Sequence, residues 1–158
     1  MSDGATIYAI DTCSITKLKR VYPRPVFESV WTFVESLVAS RRLISSEEVL
    51  EELRAFDDEC LEWAERHKGI FIGTGARVQL EAKRIINQHP HLLDLKQPKS
   101  GADPFLIAVA RIHGAVVITE EGKSGGPPKL KIPDVCAVEK LTCMPIVDLF
   151  KAERLRTR

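Results

Sequence analysis

Residues 103–119 read DPFLIAVARIHGAVVIT. Phe105 to His113 is strongly apolar, the reading of a buried helix, and Gly114 supplies the stop such a helix uses. Ala115-Val116-Val117-Ile118-Thr119 follows at once. It is a short β-branched run, the signature of a strand covered on both faces. A buried helix leading straight into a buried strand belongs to an α/β fold.

The rest of the chain repeats this alternation. Thr6-Ile7-Tyr8-Ala9-Ile10 is a second buried strand, ending in Asp11-Thr12. A helix is predicted from Ser14 to Tyr22, stopped by Pro23 and Pro25. From Val26 to Ser40 the apolar residues Val26, Phe27, Val30, Trp31, Phe33, Val34, Leu37 and Val38 keep the helical spacing of a face packed on a core. Arg41 to Ile44 reads as a strand. Ser45 or Ser46 then caps a helix whose Glu47 and Glu48 suit its positive end. Further helices are predicted over 57–68, 75–89, 137–141 and 146–156, with minor strands at 70–72 and 143–144. The order predicts an α/β/α sandwich with a mainly parallel central sheet. At 158 residues, one domain spanning 1–158 is expected.

Composition excludes several classes. Hydrophobic residues make up 44% and charged residues 28%, so a packed core is available and a disordered chain is not expected. No apolar run approaches a membrane span, and the first residues lack a signal-peptide pattern. The expectation is a cytoplasmic protein without a membrane partner. Cys13, Cys60, Cys136 and Cys143 form no C-x-x-C pair and are expected as reduced thiols. His89-Pro90-His91 is the one close histidine pair, and strand-like alternation there would point both imidazoles the same way. Trp31 and Trp63 read as core or interface residues. The net charge of +1 does not announce a nucleic-acid partner.

Acids fall where a parallel sheet places its site, at the carboxyl ends of strands. Asp11 follows TIYAI, and Glu120-Glu121 follow AVVIT. Glu52 lies about one turn into the helix after the second strand, and Asp103 opens the helix before AVVIT. Brought together, such carboxylates repel, and a hard divalent cation such as Mg²⁺ or Mn²⁺ removes the conflict. Each acid also has a simpler reading. Asp11 and Asp103 read as helix caps, the latter with Pro104 in the first helical turn. Glu47, Glu48, Glu51 and Glu52 read as a solvated helix face, and Glu120 and Glu121 as loop charges.

In the order of these signals the chain resembles the PIN-domain family, which includes the ribonucleases of toxin–antitoxin modules. The resemblance rests on Ala9-Ile10-Asp11-Thr12-Cys13-Ser14, Val49-Leu50-Glu51-Glu52-Leu53, Ala102-Asp103-Pro104-Phe105-Leu106-Ile107-Ala108-Val109-Ala110 and Val116-Val117-Ile118-Thr119-Glu120-Glu121. The stretch Lys131 to Cys136 is similar to an uncharacterised PIN-like branch rather than the commonest toxin branch.

The resemblance implies a Mg²⁺- or Mn²⁺-dependent endoribonuclease whose metal ligands and catalytic acids are Asp11, Glu52, Asp103 and Glu121. The register favours Glu52, with Glu48 and Glu51 in reserve. It implies supporting hydroxyls from Thr12, Ser14 and Thr119, an RNA substrate, an antitoxin partner and a homodimer. Lys123, Lys129 and Lys131 are candidates to meet RNA phosphates. Ser124-Gly125-Gly126 offers backbone N–H groups but lacks a phosphate-loop pattern. Three positions depart from the pattern: Cys13 stands for Asn or Ser, Glu121 for Asp, and Pro104 occupies the helix start. A PIN-like binding protein with a weakened site is one alternative. A phosphoryl-transfer domain using Asp11 as nucleophile is another.

Overall fold

The computed structural model describes residues 5–56, 58–92, 101–124 and 130–155. In β1 (Tyr8–Ile10) every side chain is buried, although successive side chains leave opposite faces of a strand. The same holds for β2 (Leu43–Ser46). Both faces of the sheet centre are therefore covered, as a sandwich requires. β3 (Phe71–Ile72), β4 (Val116–Ile118) and β5 (Cys143–Met144) complete a five-stranded sheet in the order β3-β2-β1-β4-β5. Every pairing is parallel. The predicted α/β sandwich with a parallel sheet is the observed architecture.

Helices flank this sheet: α1 (Thr12–Val21), α2 (Glu28–Ala39), α3 (Glu47–Phe56), α4 (Asp58–Arg66), α5 (Ala76–Gln88), α6 (Asp103–His113), α7 (Ile132–Glu139) and α8 (Ile146–Ala152). Leu106, Ile107, Ala108, Val109 and Ala110 of α6 are all fully buried. An all-round apolar helix has to be covered on every side, and α6 lies against β1, β2 and β4 with α5 alongside. Gly114 ends it at φ 64°, and the Ala115 N–H donates to the Ala110 carbonyl at 2.8 Å. That six-to-one bond is a Schellman stop. Trp31 and Trp63 are core residues, packed edge to face at 6.2 Å.

The chain starts at the sheet centre, builds outward to β3, then crosses to the other side of β1 for β4 and β5. The direction reverses between β1 and β4, so their carboxyl ends flank the crevice where ligands of open α/β sheets bind. Ile10 pairs with Ile118, and the Asp11 N–H donates to the Ile118 carbonyl at 2.9 Å.

Several boundaries differ from the sequence reading. β2 begins at Leu43 rather than Arg41, because Arg41 turns the chain at φ 60°. α1 begins at Thr12, since Asp11 caps it. α7 occupies Ile132–Glu139 instead of 137–141: Asp134 accepts from the Lys131 N–H at 2.8 Å, and Lys140 stops the helix at φ 60°. α8 ends at Ala152, ahead of the positive φ of Arg154, and Arg156 lies outside the described residues. Pro90–Leu92 is a 3₁₀ turn rather than a strand, and His89 Nε2 lies 2.9 Å from Glu139 Oε1. The four cysteines are free thiols. Among the described residues no helix is long and apolar enough to cross a membrane.

Candidate active site

Asp11 is 4% exposed, immediately beyond β1. Its Oδ1 accepts from the Thr12 N–H at 2.7 Å, which caps α1. Its Oδ2 accepts from the Thr119 hydroxyl at 3.0 Å and the Cys13 thiol at 3.1 Å. The capping role and a place in the acid centre thus coexist in one side chain. Burial pushes the carboxyl above the ordinary range, the Cys13 bond opposes this, and the charge of Glu121 adds to it.

Asp103 is 8% exposed at the first position of α6. It is not the cap expected of an Asp-Pro pair. Ala102 holds the capping position with helical torsions and makes no side-chain cap bond, so the Asp103 carboxyl is not consumed there. Among the described residues it has no hydrogen-bond partner. Burial pushes it up to about 9, followed by the charges of Asp11, Glu121 and Glu52. All four predicted acids therefore act on one locus.

Glu52 is the half-buried member on α3. Of the acids in its helix, it is the one whose charge bears on Asp103. Glu51 is paired with Arg54, Glu47 accepts from the Thr74 N–H at 3.0 Å, and Glu48 lines a neighbouring cleft. Glu121 Oε2 accepts from the Ile132 N–H at 3.1 Å, so this acid ties the start of α7 to the centre. Among the described residues, no three His, Cys, Asp or Glu side chains are gathered closely enough to hold a metal ion as they stand.

The supporting residues divide. Thr119 donates to Asp11 and accepts from the Glu121 N–H at 3.2 Å, so one hydroxyl fixes two acids. Thr12 contributes its backbone, and its Oγ1 is buried with no partner among the described residues. Ser14 reaches Glu120 at 3.4 Å instead of any of the four acids. Cys13 takes a larger part than its residue type suggests. Its sulfur accepts from the Glu120 N–H at 3.2 Å while its thiol faces Asp11. Burial and then the charge of Asp11 push that thiol up, so it stays protonated and donating.

Sequence reasoning missed two cross-ties. Glu120 accepts from the Ile146 N–H at 2.8 Å and pairs with Lys17 at 3.1 Å. Asp134 accepts from the Ser124 hydroxyl at 2.8 Å and from the Lys131 N–H. The spacing of Lys17 from Ser14, one turn along α1, is the signal that could have placed it near this edge. Of the lysines expected to meet RNA, Lys123 is exposed and Lys131 half-buried. Lys129, Gly125 and Gly126 lie outside the described residues.

No curated protein matches the chain. A chain in the crystal structure of VapBC2 from Rickettsia felis bound to a DNA fragment from their promoter is similar at 12% identity and a TM-score of 0.49, covering 89% of this chain and 98% of that chain. Residues 8–157, nearly the full length, match the family described as Domain of unknown function (DUF4411), and the chain belongs to that family.

Proposed function

We propose that this chain is a Mg²⁺- or Mn²⁺-dependent endoribonuclease, the toxin of a toxin–antitoxin module. One observation carries the reading. A buried carboxyl, Asp103, has no hydrogen-bond donor among the described residues and feels three further acids, at the crevice between β1 and β4. A buried acid in that setting lacks a compensating positive charge, and its oxygen donors suit a hard cation.

Asp11, Glu52 and Asp103 would hold the ion, with Glu121 as a fourth, softer member. When bound, such an ion supplies a water of lowered pKa and neutralises charge on the phosphodiester. The chain's own residues do the rest. Thr119 and Cys13 orient Asp11, and Thr119 also holds the backbone of Glu121. Lys123 and Lys131 meet flanking phosphates, as does Lys129. An antitoxin, a homodimer and a cytoplasmic setting belong to the same proposal.

A nucleophilic role for Asp11 fits less well, since both its oxygens already accept hydrogen bonds in a buried setting. The second reading is a PIN-like domain that binds RNA or protein without turnover. The open spacing of the acids and the engagement of Glu121 by Ile132 favour it over any third.

The test is RNA cleavage by purified protein with Mn²⁺. Wild type should cleave, and Asp11→Asn and Asp103→Asn should each lower the rate by about 100-fold or more. Full metal-dependent activity in both variants would overturn the site. RNA binding without cleavage or ion binding would select the second reading.

A further inference from the structure

Beside the acids, a cleft of about 420 Å³ opens between the starts of α3 and α6 and one side of α5. Its lining includes Glu48, Thr74, Gln79, Lys83, Ile86 and Phe105. Two of its lining residues share helices with the acids. Glu48 sits one turn before Glu52 on α3, and Phe105 sits two residues after Asp103 on α6. A larger cavity of about 590 Å³ lies at the other end of β2 and touches none of the four acids.

The chemistry of the smaller cleft is mixed in a particular way. Phe105 and Ile86 are half-buried and give it an apolar wall. Lys83 is exposed at its rim and forms no ion pair among the described residues. Glu48 and Gln79 add polar groups at the same mouth. A flat apolar group with polar edges and an attached anion satisfies all of these, and a nucleotide is such a group.

We propose that this cleft takes the base of a single-stranded RNA nucleotide next to the scissile phosphate, with Phe105 as stacking surface and Lys83 on a neighbouring phosphate. The proposal rests on the reading of the acid centre as an RNA site. The Glu48 carboxylate oxygens are acceptors, so a base whose exocyclic group is an amino donor, such as cytosine, is preferred over uracil, whose corresponding group is a carbonyl.

The test separates binding from cleavage. In an Asp103→Asn background, fluorescein-labelled oligocytidine and oligouridine are titrated and followed by anisotropy. Phe105→Leu, which stays apolar but removes the ring, and Lys83→Ala, a surface change, should each weaken binding by roughly 5- to 30-fold. Lys83→Ala should leave the melting temperature unmoved, and Phe105→Leu, whose side chain also packs on the core, should stay folded at the assay temperature. Glu48→Gln should narrow the difference between the two oligonucleotides. Unchanged affinity in both Phe105→Leu and Lys83→Ala, or no binding by the parent, overturns the cleft. Failure of the nuclease reading looks different: wild type with Mn²⁺ leaves the oligonucleotide intact, while binding still depends on Phe105 and Lys83.

Discussion

Asp11 and Asp103 share one acidic centre and divide its hydrogen bonds unequally: Asp11 receives three donors, and Asp103 receives none among the described residues. Both carboxyls are buried. The donors on Asp11 oppose the effect of burial on that acid. Nothing opposes it at Asp103, which is the side chain most in need of a positive partner.

That imbalance gives stability a pH dependence. Asp103 sits at about 9 in the fold against an ordinary 3.8, so the folded chain holds a proton that the unfolded chain releases. Between those values the native state binds more protons, and stability falls as pH rises. Asp11 is shifted in the same direction. In metal-free buffer, urea unfolding should show lower stability near the upper end of this window than near the lower end. Asp103→Asn, neutral throughout, should flatten the slope and gain on the order of 2 kcal/mol at its alkaline end. A slope unchanged by Asp103→Asn would mean that this carboxyl is not the group responsible.

A divalent ion should reverse the penalty. An ion that binds only the folded chain adds about 2.7 kcal/mol at a hundredfold excess over its dissociation constant. Mn²⁺ should therefore raise the melting temperature of wild type, more at alkaline pH than at acid pH, where protons compete for the carboxylates. Differential scanning fluorimetry with Mn²⁺ and with Na⁺ at matched ionic strength checks this. An equal response from wild type and Asp103→Asn would place the ion elsewhere.

The fold was legible because its deciding signals are local. AVVIT and TIYAI are short, apolar and β-branched, and Gly114 marks its helix end without help from distant residues. Boundaries failed where a distant or backbone-level event sets them, as with the positive φ of Arg41 or the bond from Lys131 to Asp134. The same distinction runs through the site. That Asp11, Asp103 and Glu121 lie close to one another was readable from their places at strand and helix ends. Cys13 was undervalued, because its role comes from a thiol held between Asp11 and the backbone of Glu120, more than a hundred residues away in sequence. Glu120 and Glu121 look identical as neighbours in a loop. Their different partners, Ile146 and Ile132, exist only in the folded chain.

Thr119 joins two acids through one oxygen, so its loss should damage the site as well as the fold. Thr119→Val keeps the shape and removes the hydroxyl that donates to Asp11 and accepts from the Glu121 N–H. Removing a partner that orients a metal-binding carboxylate typically lowers affinity or activity by about 10- to 100-fold. The folding cost should be about 1–3 kcal/mol, since a buried acceptor and a backbone donor lose their partner. Thr119→Ser should restore most of the activity. If Val and Ser variants cleave equally, the hydroxyl has no part in holding Asp11.

Glu120 and Glu121 provide a paired test, since adjacent carboxylates are assigned opposite duties. Glu120 ties β4 to α8 through the Ile146 N–H and to α1 through Lys17, and it is absent from the groups acting on Asp103. Glu121 does act on Asp103, while its Oε2 holds the Ile132 N–H. Glu120→Ala should therefore lose about 1–2 kcal/mol in urea unfolding. Its metal-dependent cleavage per folded molecule should stay within about threefold of wild type, because the Glu120 N–H that Cys13 accepts is backbone and survives the change. Glu121→Ala should lose a similar amount of stability and, in addition, lower cleavage by about tenfold or more at limiting Mn²⁺, with partial recovery as Mn²⁺ is raised. Glu121→Gln discriminates further: its amide oxygen can still accept from Ile132, so stability should return while the Mn²⁺ requirement stays elevated. An exchange of the two patterns, with Glu120→Ala raising the Mn²⁺ requirement and Glu121→Ala leaving it unchanged, would reassign the fourth acid to Glu120.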